Sequence, residues 1–305
     1  MMSETQMPTG ARRKGGAMRR VLVLLAVIGA VLLGYGGTAW VKAGQYAITP
    51  PNPVRGDTPA AFGLAYESVA FPTAAGDGIT LRGWWLANPA SATRRTVVLV
   101  HGRYENRTVH LALAQRLWQS GYMVLLFDLR GHGDSDPAPC TYGVREAGDV
   151  TGAVRFALTH GAEAGRIGVI GWSLGAASAL LAMPDTAEIG AVVADSAYAN
   201  ADPLLARNPL RPGLALALRL RYGIALGAVA PERAIARIAP RHVLLIHGTD
   251  DRAVPPAQAE RLQDMAGGAA ILWAVPGAGH TGAFARSPDA YLAHILPFLN
   301  MNLGN

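Results

Sequence analysis

The chain has 305 residues, is 50% hydrophobic and carries a net charge of +6. That length supports one large core or two small ones. The positive charge would point to nucleic acid only if it covered a folded surface. Residues 1–42 hold Arg12, Arg13, Lys14, Arg19, Arg20 and Lys42 against Glu4, which is +5, so only +1 remains for the other 263 residues. The basic character is a short head, which argues against a nucleic-acid partner.

Behind the head, Val21 to Trp40 is a run of twenty residues without a charge. At 1.5 Å per residue it spans about 30 Å, the thickness of a bilayer core. Tyr35 and Trp40 suit an interface, and Lys42 closes the run. Two fates are open: an uncleaved transmembrane anchor, or a signal peptide with Val21 to Leu33 as its core and Gly37-Thr38-Ala39 as its cleavage site. The run exceeds the usual signal core of roughly 7–15 residues, which favours the anchor. In either case the basic flank stays cytoplasmic and residues 43–305 lie outside. Met18, directly before Arg19-Arg20, is an alternative start that leaves the anchor intact. The expected organisation is a basic cytoplasmic head (1–20), an anchor or signal (21–41), a linker (42–65) and a catalytic domain (66–300). Cys140 is the only cysteine, so no internal disulfide can form; the sequence places it as a partly buried loop residue.

Gln45 to Phe62 is rich in Pro and Gly and predicts an extended linker. Glu67 to Phe71 alternates as a strand, Asp77-Gly78 marks a hairpin turn, and Ile79 to Ala87 returns. Six short apolar runs follow: Thr96–Val100, Met123–Phe127, Ile167–Ile170, Ala191–Ala194, Val243–Ile246 and Ile271–Val275. Such runs predict a parallel sheet buried on both faces. Helix-like spacing fills Thr108–Gln119, Val144–Thr159, Ser173–Met183, Pro255–Met265 and Asp289–Leu299, with Thr108 as a candidate cap and Pro255-Pro256 at a helix start. This alternation predicts a doubly wound α/β sheet. Ser196 to Ala230, with Pro203, Pro209 and Pro212, interrupts it. It predicts a short helical cap over the strand ends, or an ordinary packing helix.

The chemistry converges on four stretches. Gly171-Trp172-Ser173-Leu174-Gly175 follows a predicted strand and opens a small-residue helix. A serine on such a turn adopts a strained backbone and presents its hydroxyl above the sheet. Its neutral hydroxyl needs a base. His280, in the short loop after the last strand, can take and return a proton near neutral pH. The loop His247-Gly-Thr-Asp-Asp-Arg-Ala-Val-Pro255 offers Asp250 and Asp251 as the acid that orients the histidine, and Asp195 is a third candidate. After Val100-His101-Gly102, the backbone amide of Arg103 can meet a developing oxyanion, with the amide of Leu174 as second donor. The Arg103 guanidinium could instead hold an acidic substrate, or Arg103 and Arg107 could be solvated.

The order Ser, Asp, His matches one serine-hydrolase arrangement. With Leu99-Val-His-Gly-Arg103, Phe127-Asp-Leu-Arg-Gly-His-Gly-Asp-Ser135, Gly171–Gly175, His247–Pro255 and Gly279-His280, residues from about Tyr66 to Leu299 resemble the α/β-hydrolase superfamily. The likeness is to bacterial enzymes akin to serine aminopeptidases, dienelactone hydrolases and monoacylglycerol lipase-like esterases. It implies a mostly parallel eight-stranded sheet with helices on both faces and a short helical cap. It selects Asp251, the fifth residue of the H-G-x-x-D-x-x-V-P pattern, over Asp250, and marks Arg103 as an oxyanion-loop residue. The loop after His101-Gly102 is Arg-Tyr-Glu-Asn where these enzymes commonly carry a Gly-rich form. His132 is assigned no catalytic role; its Gly-rich loop is structural, with Asp128 and Arg130 in local hydrogen bonds.

The expected activity is serine hydrolysis of a small-molecule carboxylic ester, by Ser173, His280 and Asp251 with the amides of Arg103 and Leu174. No metal or cofactor is implied: there is no ligand cluster of metal-binding spacing, and a Gly-rich turn accounts for Asp128, Asp134 and Asp136. A peptidase or thioesterase would use the same groups. A non-catalytic hydrolase-fold binding protein would need none of them. The short cap predicts an open site for small or medium acyl groups.

Overall fold

The computed structural model describes residues 12–91, 93–202 and 208–304. The start of the basic head and Pro203 therefore lie outside the described residues.

The strands are β1 (Glu67–Pro72), β2 (Thr80–Leu86), β3 (Thr96–Val100), β4 (Met123–Phe127), β5 (Ile167–Trp172), β6 (Ile189–Asp195), β7 (His242–Gly248) and β8 (Ala270–Val275). They form one sheet in the order β1-β2-β4-β3-β5-β6-β7-β8. The β1–β2 and β2–β4 pairs are antiparallel, and every pair from β4 through β8 is parallel.

The strand alternation of period two divides the core. On one face Val98, Val100, Leu125, Phe127, Val169 and Val192 pack in one cluster. Helices α3 (Glu146–Thr159), α4 (Leu174–Ala182), α6 (Pro231–Ile235) and α7 (Ala257–Met265) supply Val150, Leu180, Ile235 and Leu262 to that face. On the other, Val97, Leu99, Val124, Leu126, Ile170 and Val193 meet α2 (Leu111–Gln119) and α9 (Pro288–Asn302). Two further helices are α5 (Arg211–Tyr222) and the short α8 (Ala283–Arg286). β3 to β5 carry no exposed residue, since helices cover both faces.

Three expectations shift. The helix after β3 is capped by Asn106, not Thr108: the Asn106 side chain accepts the Thr108 amide at 3.0 Å, and a 3₁₀ turn, Arg107–His110, precedes α2. The residues expected as linker are partly built in. Helix α1 runs Arg12–Ala47, and its buried Ala39, Ala43 and Ala47 recur every fourth position, one helix face. Ala43 and Ala47 join Leu214, Ala217 and Leu218 of α5 in a third apolar cluster. Pro59–Phe62 forms a 3₁₀ turn, and Leu64 enters the core ahead of the expected domain start. Cys140 is fully buried, and burial pushes its thiol up to about 12. Gly16–Ala47 is long and apolar enough to cross a membrane, with a mean hydropathy of 2.2 over its most apolar window.

Candidate active site

The carboxyl ends of the parallel strands bring the site together, since Val100 pairs with Gly171, Trp172 with Asp195, and Gly248 with Val275. Ser173 follows β5 with φ 49° and ψ −109°, a backbone that strain penalises and the surrounding packing must enforce. The enforcement comes from close approach. A Cβ on Gly171 would stand 2.5 Å from the Gly175 backbone, and one on Gly175 would stand 2.1 Å from the Val100 carbonyl oxygen. Only glycine at both positions lets strand, turn and helix meet. From the other side, His110 stacks on Trp172 at 3.5 Å; burial pushes its imidazole down to about 3, so it is neutral.

Ser173 Oγ lies 2.9 Å from His280 Nε2, and His280 Nδ1 lies 2.7 Å from Asp251 Oδ2. With the carboxylate accepting at Nδ1, Nε2 of the neutral ring is free to accept the serine proton. Asp251 Oδ1 accepts the Ala253 and Val254 amides at 2.9 and 2.8 Å. Burial alone would raise the Asp251 carboxyl. Hydrogen bonds from His247, His280 and Val254 outweigh it and hold the group well below the usual carboxylate range. His247 is fixed by the Val254 carbonyl at 2.8 Å; burial lowers its pKa, but Asp251 and that carbonyl overcome burial and raise it.

The other acid candidates stand elsewhere. Asp250 is exposed and accepts from Thr249 Oγ1. Asp195 is buried and accepts from Ser196 Oγ at 2.9 Å, and burial lifts its carboxyl to about 6. Ser196 Oγ in turn accepts the Thr281 amide at 2.9 Å. Asp195 and Ser196 thus hold the loop that carries His280, a supporting role the sequence left unassigned.

Side-chain hydrogen bonds hold the Arg-Tyr-Glu-Asn loop and the His101-Gly102 turn before it. Glu105 Oε2 accepts the Gly102 amide at 2.7 Å. The Leu129 amide donates to His101 Nε2 at 3.0 Å, so His101 carries its proton on Nδ1 and donates to the Gly102 carbonyl at 2.7 Å. Burial, with His132 nearby, keeps that imidazole well below its ordinary pKa. Tyr104 takes φ 68°. The Arg103 amide has no hydrogen-bond acceptor among the described residues, and Leu174, first residue of α4, has none within its helix.

Arg103 is partly buried and lines the cavity over Ser173, and its guanidinium is held by neighbouring groups. It donates to Tyr142 Oη at 2.9 Å and to the Tyr46 carbonyl at 2.5 Å, and lies 4.6 Å over the Tyr104 ring. Its charge meets the carbonyl end of α1, where the helix dipole favours a cation. Arg107 is also committed, to Asp128 and Asp134, and Asp136 pairs with Arg82. His132 is buried against His101.

A cavity of about 320 Å³ opens over Ser173, walled by Tyr46, Tyr104, Tyr142, Tyr198, Leu226 and Val254. None of the four tyrosines was marked by a motif. An apolar, aromatic pocket around a serine, a histidine and a carboxylate can bind and attack an acyl group.

Fold and site together define an α/β hydrolase. The family described as serine aminopeptidase, S33, matches residues 91–227. The uncharacterized protein YfhR of Salmonella typhi is 30% identical over 272 residues, covering 83% of this chain and 87% of its own. The uncharacterized protein YqkD of Bacillus subtilis is 30% identical over 249 residues, covering 77% and 81%. The esterase Pf2001 of Pyrococcus furiosus superposes with a TM-score of 0.70 at 26% identity, over 84% of this chain and all of that one. The chain belongs to the same family as these YfhR and YqkD proteins, within the α/β-hydrolase superfamily.

Proposed function

We propose that the protein is a membrane-anchored serine hydrolase that cleaves carboxylic esters through an acyl-enzyme. The observation that carries this reading is the hydrogen-bonded chain Ser173–His280–Asp251 at the floor of an apolar cavity. Ser173 Oγ attacks the ester carbonyl while His280 Nε2 takes its proton. The oxyanion forms against the Arg103 and Leu174 amides, each such donor being worth roughly 10²–10³ in rate. The C–O bond to the alcohol breaks as His280 returns the proton to the leaving oxygen. Water, deprotonated by His280, then releases the acid and restores Ser173. Asp251 keeps His280 in the required tautomer and stabilises its charged form.

A peptidase activity is the second reading, favoured by the description of the matching family. The same groups serve either leaving group. Purified full-length protein should cleave p-nitrophenyl acetate and butyrate, and Ser173→Ala should abolish turnover. Faster cleavage of the matching p-nitroanilides would move the peptidase reading to first place. No ester or amide turnover by folded protein would refute both.

The anchor reading rests on α1. Ala39, last residue of the candidate cleavage site, is buried, and Thr38 Oγ1 donates to the Gly34 carbonyl within an unbroken helix. These features favour retention over cleavage, with the basic flank cytoplasmic and the hydrolase domain on the opposite side. Intact-mass measurement on the membrane fraction tests this; loss of residues up to Ala39 would contradict it.

A further inference from the structure

Helices α1 and α5 lie side by side and run in the same direction. At one end Tyr35 Oη meets the Gly213 amide at 3.3 Å and the Pro209 carbonyl at 3.4 Å. At the other, Arg221 donates to the Trp40 carbonyl at 3.2 Å, and Gly44 lies against Arg221 and Tyr222. The start of α5 therefore stands level with Tyr35, inside the uncharged run that ends at Trp40. Facing inward, α5 buries Leu214, Ala217 and Leu218; facing outward, it leaves Leu216 57% and Leu220 68% exposed, beside exposed Arg219 and Arg221. Leucines flanked by arginines suit the headgroup level of a bilayer, where apolar groups sink and guanidinium groups reach phosphates.

A second cavity, of about 440 Å³, begins at this level. Lys42, Gln45, Pro209 and Leu210 line it, and it shares Tyr46 and Tyr104 with the cavity over Ser173. The two cavities are thus neighbours, with Tyr46 and Tyr104 between them, and the second lies on the membrane-facing side of the first.

We propose that the substrate is an amphiphilic ester resident in the leaflet where α1 emerges, and that it reaches Ser173 along this groove. The outer face of α5 rests in the headgroups of the membrane that α1 crosses. The proposal rests on the hydrolase and anchor readings above. It specifies where the substrate comes from and which surface receives it.

The test uses the full chain in vesicles of phosphatidylethanolamine and phosphatidylglycerol. Two esters share one leaving group: p-nitrophenyl acetate, which stays in water, and p-nitrophenyl palmitate, which partitions into lipid. Leu210→Trp narrows the groove, and Leu216→Asp with Leu220→Asp removes the apolar face. Both should lower kcat/KM for the palmitate at least tenfold while acetate turnover stays within twofold. If palmitate turnover is unchanged, or both esters fall together, the entrance is elsewhere. Acetate inert to the folded wild type would instead remove the hydrolase reading. An independent measurement places a spin label at Leu216→Cys, Cys140 being buried. Collision with oxygen in lipid should exceed collision with a water-soluble nickel chelate; the reverse would overturn the proposal even if the kinetics agreed.

Discussion

Asp251→Asn replaces one carboxylate oxygen with an NH₂ group and should disable the site through a proton. In the native chain Oδ1 accepts the fixed amides of Ala253 and Val254, and Oδ2 faces His280 Nδ1 at 2.7 Å and His247 Nε2 at 3.4 Å. Asparagine keeps one acceptor oxygen. The two backbone amides claim it, because their positions are set by the turn, so the NH₂ group falls opposite His280. That group can only donate. His280 must then accept at Nδ1 and carry its proton on Nε2, the nitrogen that faces Ser173 Oγ. A base already protonated there cannot activate the serine. Loss of the correct tautomer in such a site costs roughly 10⁴ in kcat, or about 5.5 kcal/mol of transition-state stabilisation. The assay is steady-state hydrolysis of p-nitrophenyl acetate, with circular dichroism to confirm the fold. A folded Asp251→Asn protein that kept more than a tenth of wild-type kcat would refute the reasoning.

Gly175→Ala places a methyl 2.1 Å from the Val100 carbonyl and 2.6 Å from that of His101, both backbone. It should cost about 1–3 kcal/mol in stability and slow active-site labelling at least a hundredfold; an unchanged thermal midpoint would contradict the packing argument. Asp195, with its carboxyl lifted to about 6 by burial, favours the native state fully below about pH 4 and loses that contribution as pH rises through 6. Asp195→Asn stays neutral, so its stability relative to wild type should rise by about 3 kcal/mol between pH 4 and 7; denaturant titrations that stay parallel across that range would contradict it. Arg130 is buried and pairs with Asp149 at 2.7 Å and Asp77 at 2.6 Å. Asp149→Ala leaves that charge half-compensated and should cost about 3–5 kcal/mol, measured by urea denaturation; a loss below 1 kcal/mol would mean the pair is not needed.

The central strands were legible because helices cover both faces, leaving runs such as Thr96–Val100 with no polar alternation to confuse them. Their ends were less so. β5 and β6 extend through Trp172 and Asp195, whose side chains are not those of a simple apolar run. Thr108 and Asn106 are both capping residues, and only the extended backbone of Asn106 decides between them. Asp250 and Asp251 are adjacent, so position alone leaves both open. What separates them is the turn that aims Asp251 inward onto the Ala253 and Val254 amides. The contribution of α1 to the site was hidden for a different reason. Tyr46 sits at the edge of a Pro-rich stretch, and its partners Arg103 and Tyr142 are distant in sequence. The visible trace was the alanine spacing at 39, 43 and 47, a small-residue helix face that packs against α5.

The most direct test of the account is labelling of the full chain by a fluorophosphonate, with the modified residue mapped by peptide mass spectrometry. Such a reagent requires a serine, its base and its oxyanion donors in one assembled site. Wild type should be modified at Ser173, and Ser173→Ala and His280→Ala should remain unlabelled. Folded wild type that resists the reagent, or carries it on another serine, would contradict the proposed hydrolase.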